Sequence, residues 1–191
     1  MNSISEYKGK QELYSHQSPQ ILKTLIEMAL IESAESSNRI EGVTVERGRL
    51  YRSAALSADR LVDLCRLRHI TTVIDLREES PETRAEAETL ARAGIAHVGL
   101  STGQVPSRET VARFLQVMDA KRHEAVLVHC THGIGRSGLF SAIYRMEYQG
   151  WPRWRAIAEA VVFSGFGSFG PGNSKAKYLS VYAPRRERRA P

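Results

Sequence analysis

The 191-residue chain contains few cysteines and no long apolar segment. Its two cysteines, Cys65 and Cys130, exclude a disulfide-stapled scaffold and favour reduced thiols. No run approaches the roughly 18 consecutive apolar residues of a membrane-spanning helix. The N-terminal sequence MNSISEYKGKQELYSHQ lacks the apolar core of a secretory signal. The sequence therefore predicts a cytoplasmic protein without a membrane span.

Acidic residues are outnumbered, and the formal net charge is +6. Part of the excess lies in the C-terminal tail PRRERRAP, residues 184–191, which we expect to be solvated and frayed. Nucleic acid is not the expected partner of this tail. A basic chain also suits an anionic substrate through its long-range electrostatic field.

Strand-like and helix-like segments alternate along residues 49–183. The apolar stretches RLYRS, TTVIDL, IAHVGL and AVLVHC predict strands, and helices are expected after Ser57, Ser80 and Ser107. This alternation predicts an α/β domain with a central, mostly parallel sheet flanked by helices. Residues 1–48 are predicted to form an N-terminal helical extension.

The stretch VLVHCTHGIGRSG, residues 126–138, joins a predicted strand to a predicted helix through a glycine-bearing loop. Such a loop presents backbone N–H groups to an anion, and the helix N-terminus adds partial positive charge. Arg136 supplies a planar guanidinium suited to two phosphate oxygens. In these surroundings the pKa of the Cys130 thiol is expected to fall, which makes it a nucleophile.

The pattern predicts a two-step phosphoryl transfer. Cys130 attacks phosphorus, and water then hydrolyses the thiophosphate. Arg136 and the loop amides bind the phosphate oxygens, Ser137 donates a hydrogen bond to the sulfur, and His129 orients the loop. This chemistry requires no metal and no other cofactor. The predicted substrate-binding loop consists of Thr131, His132, Gly133, Ile134 and Gly135.

The segment HCTHGIGRSG resembles the signature loop, His-Cys-x5-Arg-Ser/Thr-Gly, of cysteine-dependent protein tyrosine and dual-specificity phosphatases. The resemblance extends over about residues 49–165 and is strongest to small bacterial dual-specificity-like enzymes. It implies a protein tyrosine phosphatase-like fold, with Cys130 as nucleophile and Arg136 as phosphate clamp. The implied substrate is a phosphorylated protein or a small phosphoester.

The general acid is the part of this pattern that the sequence does not supply. Many of these enzymes carry an Asp on a loop upstream of the cysteine, but the stretch GLSTGQVPSRET contains only Glu109. Related bacterial enzymes carry an Asp immediately before the loop arginine, where this chain has Gly135. The candidates are Glu109 first and Asp75 second, and the remaining ones are Glu78, Glu79 and Asp119. His132 is a further candidate for substrate contact.

The N-terminal segment carries a second resemblance. Residues 32–50, ESAESSNRIEGVTVERGRL, resemble the inhibitory helix of Fic-domain proteins, with Glu41 as the inhibitory glutamate. The Fic catalytic motif is absent from the sequence, so AMP transfer is not expected. The resemblance implies a relic, an element that regulates a separate Fic-domain protein, or a coincidence in a surface helix.

Two other interpretations of the Cys-x5-Arg loop stay open at this point. A sulfurtransferase or an arsenate reductase uses the same loop, although Ser137-Gly138 after the arginine favours a phosphatase. A protein with little activity that binds phosphate or acts as an interaction module is also compatible, because no acid is evident.

Overall fold

A five-stranded sheet forms the centre of the computed structural model, which describes residues 44–46, 50–164, 167–170 and 172–187. The strand order is β1-β2-β5-β3-β4; β1 is antiparallel to β2, and the other neighbours are parallel. The strands are β1 (Thr44–Glu46), β2 (Leu50–Ala54), β3 (Ile70–Asp75), β4 (Ala96–Gly99) and β5 (Ala125–Cys130). The predicted fold class, a mostly parallel sheet flanked by helices, is confirmed.

Six helices of the described chain follow or connect these strands. They are α1 (Ala58–Arg68), α2 (Pro81–Arg92), α3 (Arg108–Ala120), α4 (Arg136–Tyr148), α5 (Arg153–Ser164) and α6 (Ser174–Val181). The predicted starts after Ser57, Ser80 and Ser107 are confirmed. The Ser80 and Ser107 hydroxyls accept hydrogen bonds from backbone N–H groups in the first turns of their helices.

The central strand β5 separates two apolar clusters, because successive side chains of a strand point to opposite faces. Val126, Val128 and Cys130 belong to a large cluster that includes Phe114 and Phe140 of helices α3 and α4. A second cluster contains Leu127, Leu61, Val73 and Cys65, the other cysteine. Cys65 and Cys130 therefore pack in different clusters, which does not favour a disulfide between them.

The first part of the basic tail packs against the domain. The Arg185 guanidinium donates to Glu147 at 2.9 Å and to Asp119 at 2.6 Å. Arg186 donates to the carbonyl oxygen of Gly150 at 3.1 Å. The expectation of a solvated tail is therefore wrong for Pro184, which is buried, and for Arg185, which two carboxylates of the domain bind. Residues 188–191 lie outside the described part of the chain.

Residues 1–43 of the predicted N-terminal helical extension, which include Glu41 and most of the Fic-like segment, lie outside the described residues. The short strand β1 falls within that predicted extension and was not expected as a strand from its sequence, TVE. Within the part of the chain that the structure describes, no helix combines the length and hydropathy needed to cross a bilayer.

Helices α4 and α5 are joined by a buried ion pair between Arg145 and Glu159. Arg145 and Glu159 form two hydrogen bonds and are 6% and 5% exposed. Glu159→Ala deprives a buried guanidinium of its carboxylate, so we expect a loss of about 3–5 kcal/mol in the free energy of unfolding. Urea denaturation followed by circular dichroism measures this loss.

The control is Glu187→Ala, because Glu187 pairs with Arg153 at 3.0 Å on the surface. Solvent screens an exposed pair, so this variant should lose less than about 1 kcal/mol. Equal losses in the two variants would contradict the assigned role of the buried pair.

Candidate active site

Cys130 ends strand β5 at the carboxyl edge of the parallel sheet. The register pairs it with Ala54 of β2, while His129 pairs with Asp75 of β3. The ends of neighbouring parallel strands therefore meet at one edge, where open α/β sheets bind their ligands. Helix α4 begins at Arg136, so residues 131–135 form the loop between strand and helix, as predicted.

Gly133 allows the loop to lie directly against strand β2. Its φ angle is +69°, in the left-handed region that favours glycine. A Cβ atom at this position would lie 2.5 Å from the backbone nitrogen of Ala54 and 2.8 Å from the carbonyl carbon of Ser53. No residue with a side chain fits that space, so glycine is required for the loop path.

The Cys130 thiol is 3% exposed, and its Sγ lies 3.5 Å from the Ser137 hydroxyl oxygen. Burial alone would raise the pKa of this thiol. Hydrogen bonds from the Ser137 hydroxyl and from the backbone N–H groups of Ser137, Gly133 and His132 outweigh burial, and the pKa falls below its usual value. The arrangement therefore stabilises a thiolate, which is the reactive form of cysteine.

Arg136 is held by the loops that follow two neighbouring strands. Its Nη1 donates to the carbonyl oxygens of Leu76, at 2.9 Å, and Thr102, at 3.3 Å. Its Nη2 donates to the Thr131 hydroxyl at 3.1 Å. These contacts keep a permanent positive charge beside the first residue of the loop, where a phosphate dianion would need it.

Lys175 of helix α6 is a site residue that the sequence analysis missed. Its side chain is 5% exposed, and its Nζ donates to Gln104 Oε1 at 2.5 Å. A Cβ atom on Gly135 would lie 3.0 Å from Lys175 Cε and 3.6 Å from its Nζ. Burial and the positive charge of Arg136 lower the pKa of Lys175, whereas Cys130 raises it. Lys175 therefore belongs to the electrostatic environment of both Cys130 and Arg136.

Asp75, the second candidate acid, is 1% exposed and lies in a network of ionisable side chains. Arg77 Nη2 lies 2.7 Å from Asp75 Oδ2 and 2.7 Å from Glu86 Oε2. Burial alone would raise the pKa of Asp75, but His97, Arg77 and the charge of His129 outweigh it and lower the pKa far below its usual value. Asp75 is therefore held as a carboxylate, which carries no proton to donate.

His129, which was predicted to orient the loop, is fully buried with its ring beside these carboxylates. Its Nε2 lies 3.0 Å from Glu86 Oε1 and 3.8 Å from Asp75 Oδ1. Its carbonyl oxygen accepts a hydrogen bond from the Leu76 N–H at 3.0 Å. His129 thus connects the end of β5 to the network of Asp75, Arg77 and Glu86.

Asp75, Glu86 and His129 also offer ligand atoms within 4.8 Å of one another, an arrangement that a metal ion could use. Arg77 lies 2.7 Å from both carboxylates and already supplies a positive charge to them. A divalent cation would have to displace or adjoin this guanidinium, so the residues do not fit a metal centre well.

Glu109, the first candidate acid, is exposed in the first turn of helix α3. Its own backbone N–H and the Ser107 hydroxyl hydrogen-bond its carboxylate and lower its pKa. Its assignment as the acid stays a prediction, and its surroundings favour the ionised form. His132 and Ile134 are exposed on the loop, where they face incoming molecules.

A Cys-x5-Arg loop between a central parallel strand and a helix, with a serine hydroxyl beside the sulfur, defines the class of cysteine-dependent phosphatases. Comparison with known sequences agrees. The chain belongs to the family described as "DSP-PTPase phosphatase fused to NAD+ Kinase", whose model matches residues 23–167.

Individual relatives are also phosphatases by name. The dual specificity protein phosphatase TpbA of Pseudomonas aeruginosa is 35% identical over 120 residues, which is 62% of this chain and 52% of TpbA. The chain thus spans about half the length of the curated relatives it matches. The crystal structure of P. aeruginosa TpbA superposes with a TM-score of 0.59 at 26% identity, covering 77% of this chain and 94% of that chain.

A second solved structure supports the fold alone. The core catalytic domain of the PP-IP phosphatase SIW14 from S. cerevisiae, in complex with citrate, has a TM-score of 0.63 at 19% identity. The match covers 78% of this chain and 91% of the yeast domain.

The close approach of Gly133 to β2 generates a prediction. Gly133→Ala forces the loop away from Ala54 and misaligns its N–H groups, so we expect tungstate, a phosphate-like oxyanion, to bind about 100-fold more weakly. Isothermal titration calorimetry measures this affinity.

Gly94→Ala is the matched control. Gly94 also has a positive φ, +75°, but no other atom lies within 4 Å of the added Cβ. It should cost about 1 kcal/mol of stability and leave tungstate binding unchanged. Unchanged binding in Gly133→Ala would contradict the assigned loop geometry.

The two thiols should differ sharply in reactivity. Burial, followed by the charge of Glu86, raises the pKa of Cys65 to about 12, whereas the pKa of Cys130 is lowered. At pH 7 we expect iodoacetate to alkylate Cys130 and leave Cys65 intact, because the thiolate is the nucleophile. Peptide mass spectrometry identifies the modified residue, and Cys130→Ser serves as the unreactive control. Comparable alkylation of both residues would contradict the assigned environments.

Proposed function

We propose that the protein is a metal-independent phosphatase that hydrolyses phosphate monoesters through a cysteinyl-phosphate intermediate. The observation that carries this proposal is the Cys130 thiol, whose pKa is lowered by the backbone N–H groups of its own loop and by Ser137. Arg136 is held beside the same loop by Leu76, Thr102 and Thr131. A nucleophile, an anion cradle and a fixed positive charge therefore occupy one place.

In the first step, Cys130 Sγ attacks phosphorus and the bond to the ester oxygen breaks. Charge spread over the equatorial oxygens is stabilised by the loop amides and by Arg136. Because these donors are already fixed by the fold, they need little reorganisation as the transition state forms.

In the second step, water attacks phosphorus and the sulfur leaves as a thiolate. Ser137 is positioned for this departure, since its hydroxyl oxygen lies 3.5 Å from Cys130 Sγ. A hydrogen bond to the developing thiolate lowers its energy. The same contact thus supports the thiolate before the first step and after the second.

The proposed substrates are phosphotyrosine or phosphoserine/threonine in proteins. Support comes from TpbA, which is named a dual specificity protein phosphatase. The loop residues 131–135 also contain no lysine, whereas phosphatases that prefer highly phosphorylated inositols carry lysines in this loop. The proposed setting is the cytoplasm, where Cys130 stays reduced. Regulation of a separate Fic-domain protein through Glu41 stays a prediction about residues outside the described chain.

Hydrolysis of an activated aryl phosphate tests the proposal. We expect p-nitrophenyl phosphate to be hydrolysed by the wild type with or without EDTA. Cys130→Ser should lose about 1,000-fold or more in rate, since the nucleophile is removed. Cys65→Ser is the matched control and should keep the wild-type rate.

Four results would contradict the proposal. Activity retained in Cys130→Ser would exclude the cysteinyl intermediate, and activity lost with EDTA would exclude the metal-independent mechanism. Tungstate binding by a wild type that hydrolyses no phosphate ester would instead identify a phosphate-binding module. Transfer of sulfur from thiosulfate, or reduction of arsenate, in place of ester hydrolysis would identify one of the other Cys-x5-Arg activities.

A further inference from the structure

The proposed reaction needs a proton for the ester oxygen that leaves in the first step, and the two candidate carboxyl groups are poorly suited to supply it. Asp75 is bound by Arg77, and Glu109 interacts with its own helix N-terminus. In both cases the charged form is favoured, which disfavours proton donation.

A different proton donor comes from a segment that is distant along the chain. Lys175 lies in the first turn of helix α6, which Asn173 caps by accepting a hydrogen bond from the Lys175 N–H at 2.9 Å. The Lys175 side chain is buried, at 5% exposed, and its Cε would lie 3.0 Å from a Cβ atom on Gly135. Gly135 immediately precedes Arg136, the phosphate clamp.

We propose that Lys175 is the general acid of this active site, donating a proton from Nζ to the leaving oxygen. This inference rests on the proposed phosphatase function and adds the catalytic group that the loop sequence lacks. Its hydrogen bond to Gln104, in the loop between β4 and α3, holds Nζ at the site before the substrate arrives.

With Lys175 as the acid, the bonds and protons of the first step balance. The Cys130 Sγ–P bond forms and the P–O bond breaks, with its electron pair passing to the ester oxygen. The Lys175 ammonium transfers one proton to that oxygen, which leaves as a neutral alcohol or phenol, and Lys175 becomes a neutral amine.

The second step returns the proton. The neutral Lys175 amine accepts a proton from the attacking water as the new P–O bond forms. The S–P bond breaks, Cys130 leaves as a thiolate beside the Ser137 hydroxyl, and Lys175 is again an ammonium. Inorganic phosphate is released, and the site is restored without any other reactant.

The chemistry of lysine suits this role better than that of arginine. An arginine side chain holds its proton at any accessible pH, whereas a lysine in a buried, positively charged site gives its proton up more readily. Burial and Arg136 act on Lys175 in this direction.

A comparison of leaving groups tests the proposal. 2,4-Dinitrophenyl phosphate releases a stable anion that needs no proton, whereas phenyl phosphate releases a poor leaving group that does. For Lys175→Met we expect kcat/KM to fall about 100-fold or more with phenyl phosphate, and only a few-fold with the dinitrophenyl ester. kcat/KM is the correct readout because it includes the first chemical step.

Two further variants separate proton donation from charge. Lys175→Arg keeps the positive charge but holds its proton, so it should show the same selective loss with phenyl phosphate. Lys177→Met removes an exposed lysine from the same helix and should behave as the wild type with both esters. Thermal unfolding of each variant controls for loss of folded protein.

The results that overturn the proposal are distinct from those that overturn the phosphatase function. Equal losses on both esters in Lys175→Met, or wild-type rates in Lys175→Arg, would show that Lys175 only binds the phosphate. A selective loss with phenyl phosphate in Glu109→Gln, together with none in Lys175→Met, would assign the acid to Glu109. Failure of the wild type to hydrolyse either ester would overturn the phosphatase function and this proposal with it.

Discussion

The site depends on keeping a thiolate stable where it is almost fully buried. Burial disfavours any anion, and Cys130 is 3% exposed. Backbone N–H groups and the Ser137 hydroxyl must therefore converge on one sulfur atom. The loop can aim these donors only because Gly133 lies against the backbone of Ala54 without a side chain. The register of β2 and β5, the path of the loop and the start of helix α4 all serve this convergence.

The need to stabilise this thiolate also explains why the carboxylates near Cys130 are paired with an arginine. Asp75 pairs in register with His129, one residue from the nucleophile, and a free carboxylate there would repel both thiolate and phosphate. Arg77 binds Asp75 and Glu86 together, so their charge is compensated beside the strands. Arg136 in turn donates to the carbonyl oxygen of Leu76, the residue that follows Asp75. The Arg136 guanidinium is thus kept apart from these carboxylates, because its Nη1 donates to backbone oxygens instead.

Sequence reasoning predicted the features formed by contiguous residues and missed the contacts between segments that are distant in the chain. The strand, loop and helix around Cys130 and Arg136 are contiguous, so periodicity, glycine and helix capping describe them well. Lys175 approaches Gly135 only because α6 packs beside α4 and Gln104 lies on a third segment. No spacing rule links residues that far apart in the chain. The ion pairs of Arg185 with Glu147 and Asp119 were missed for the same reason, since a basic tail reads as solvated unless its partners are known.

The contact with Lys175 changes the interpretation of Gly135. From the sequence it marks the absence of an acidic side chain before the clamp arginine. In the structure, a Cβ atom there would lie 3.0 Å from Lys175 Cε, closer than side chains ordinarily pack, and 3.4 Å from the Ser168 hydroxyl oxygen. The glycine therefore makes room for a side chain from another helix. The missing group at residue 135 and the buried lysine at residue 175 are two parts of one arrangement, because the space that an aspartate would occupy is filled by the ammonium-bearing chain.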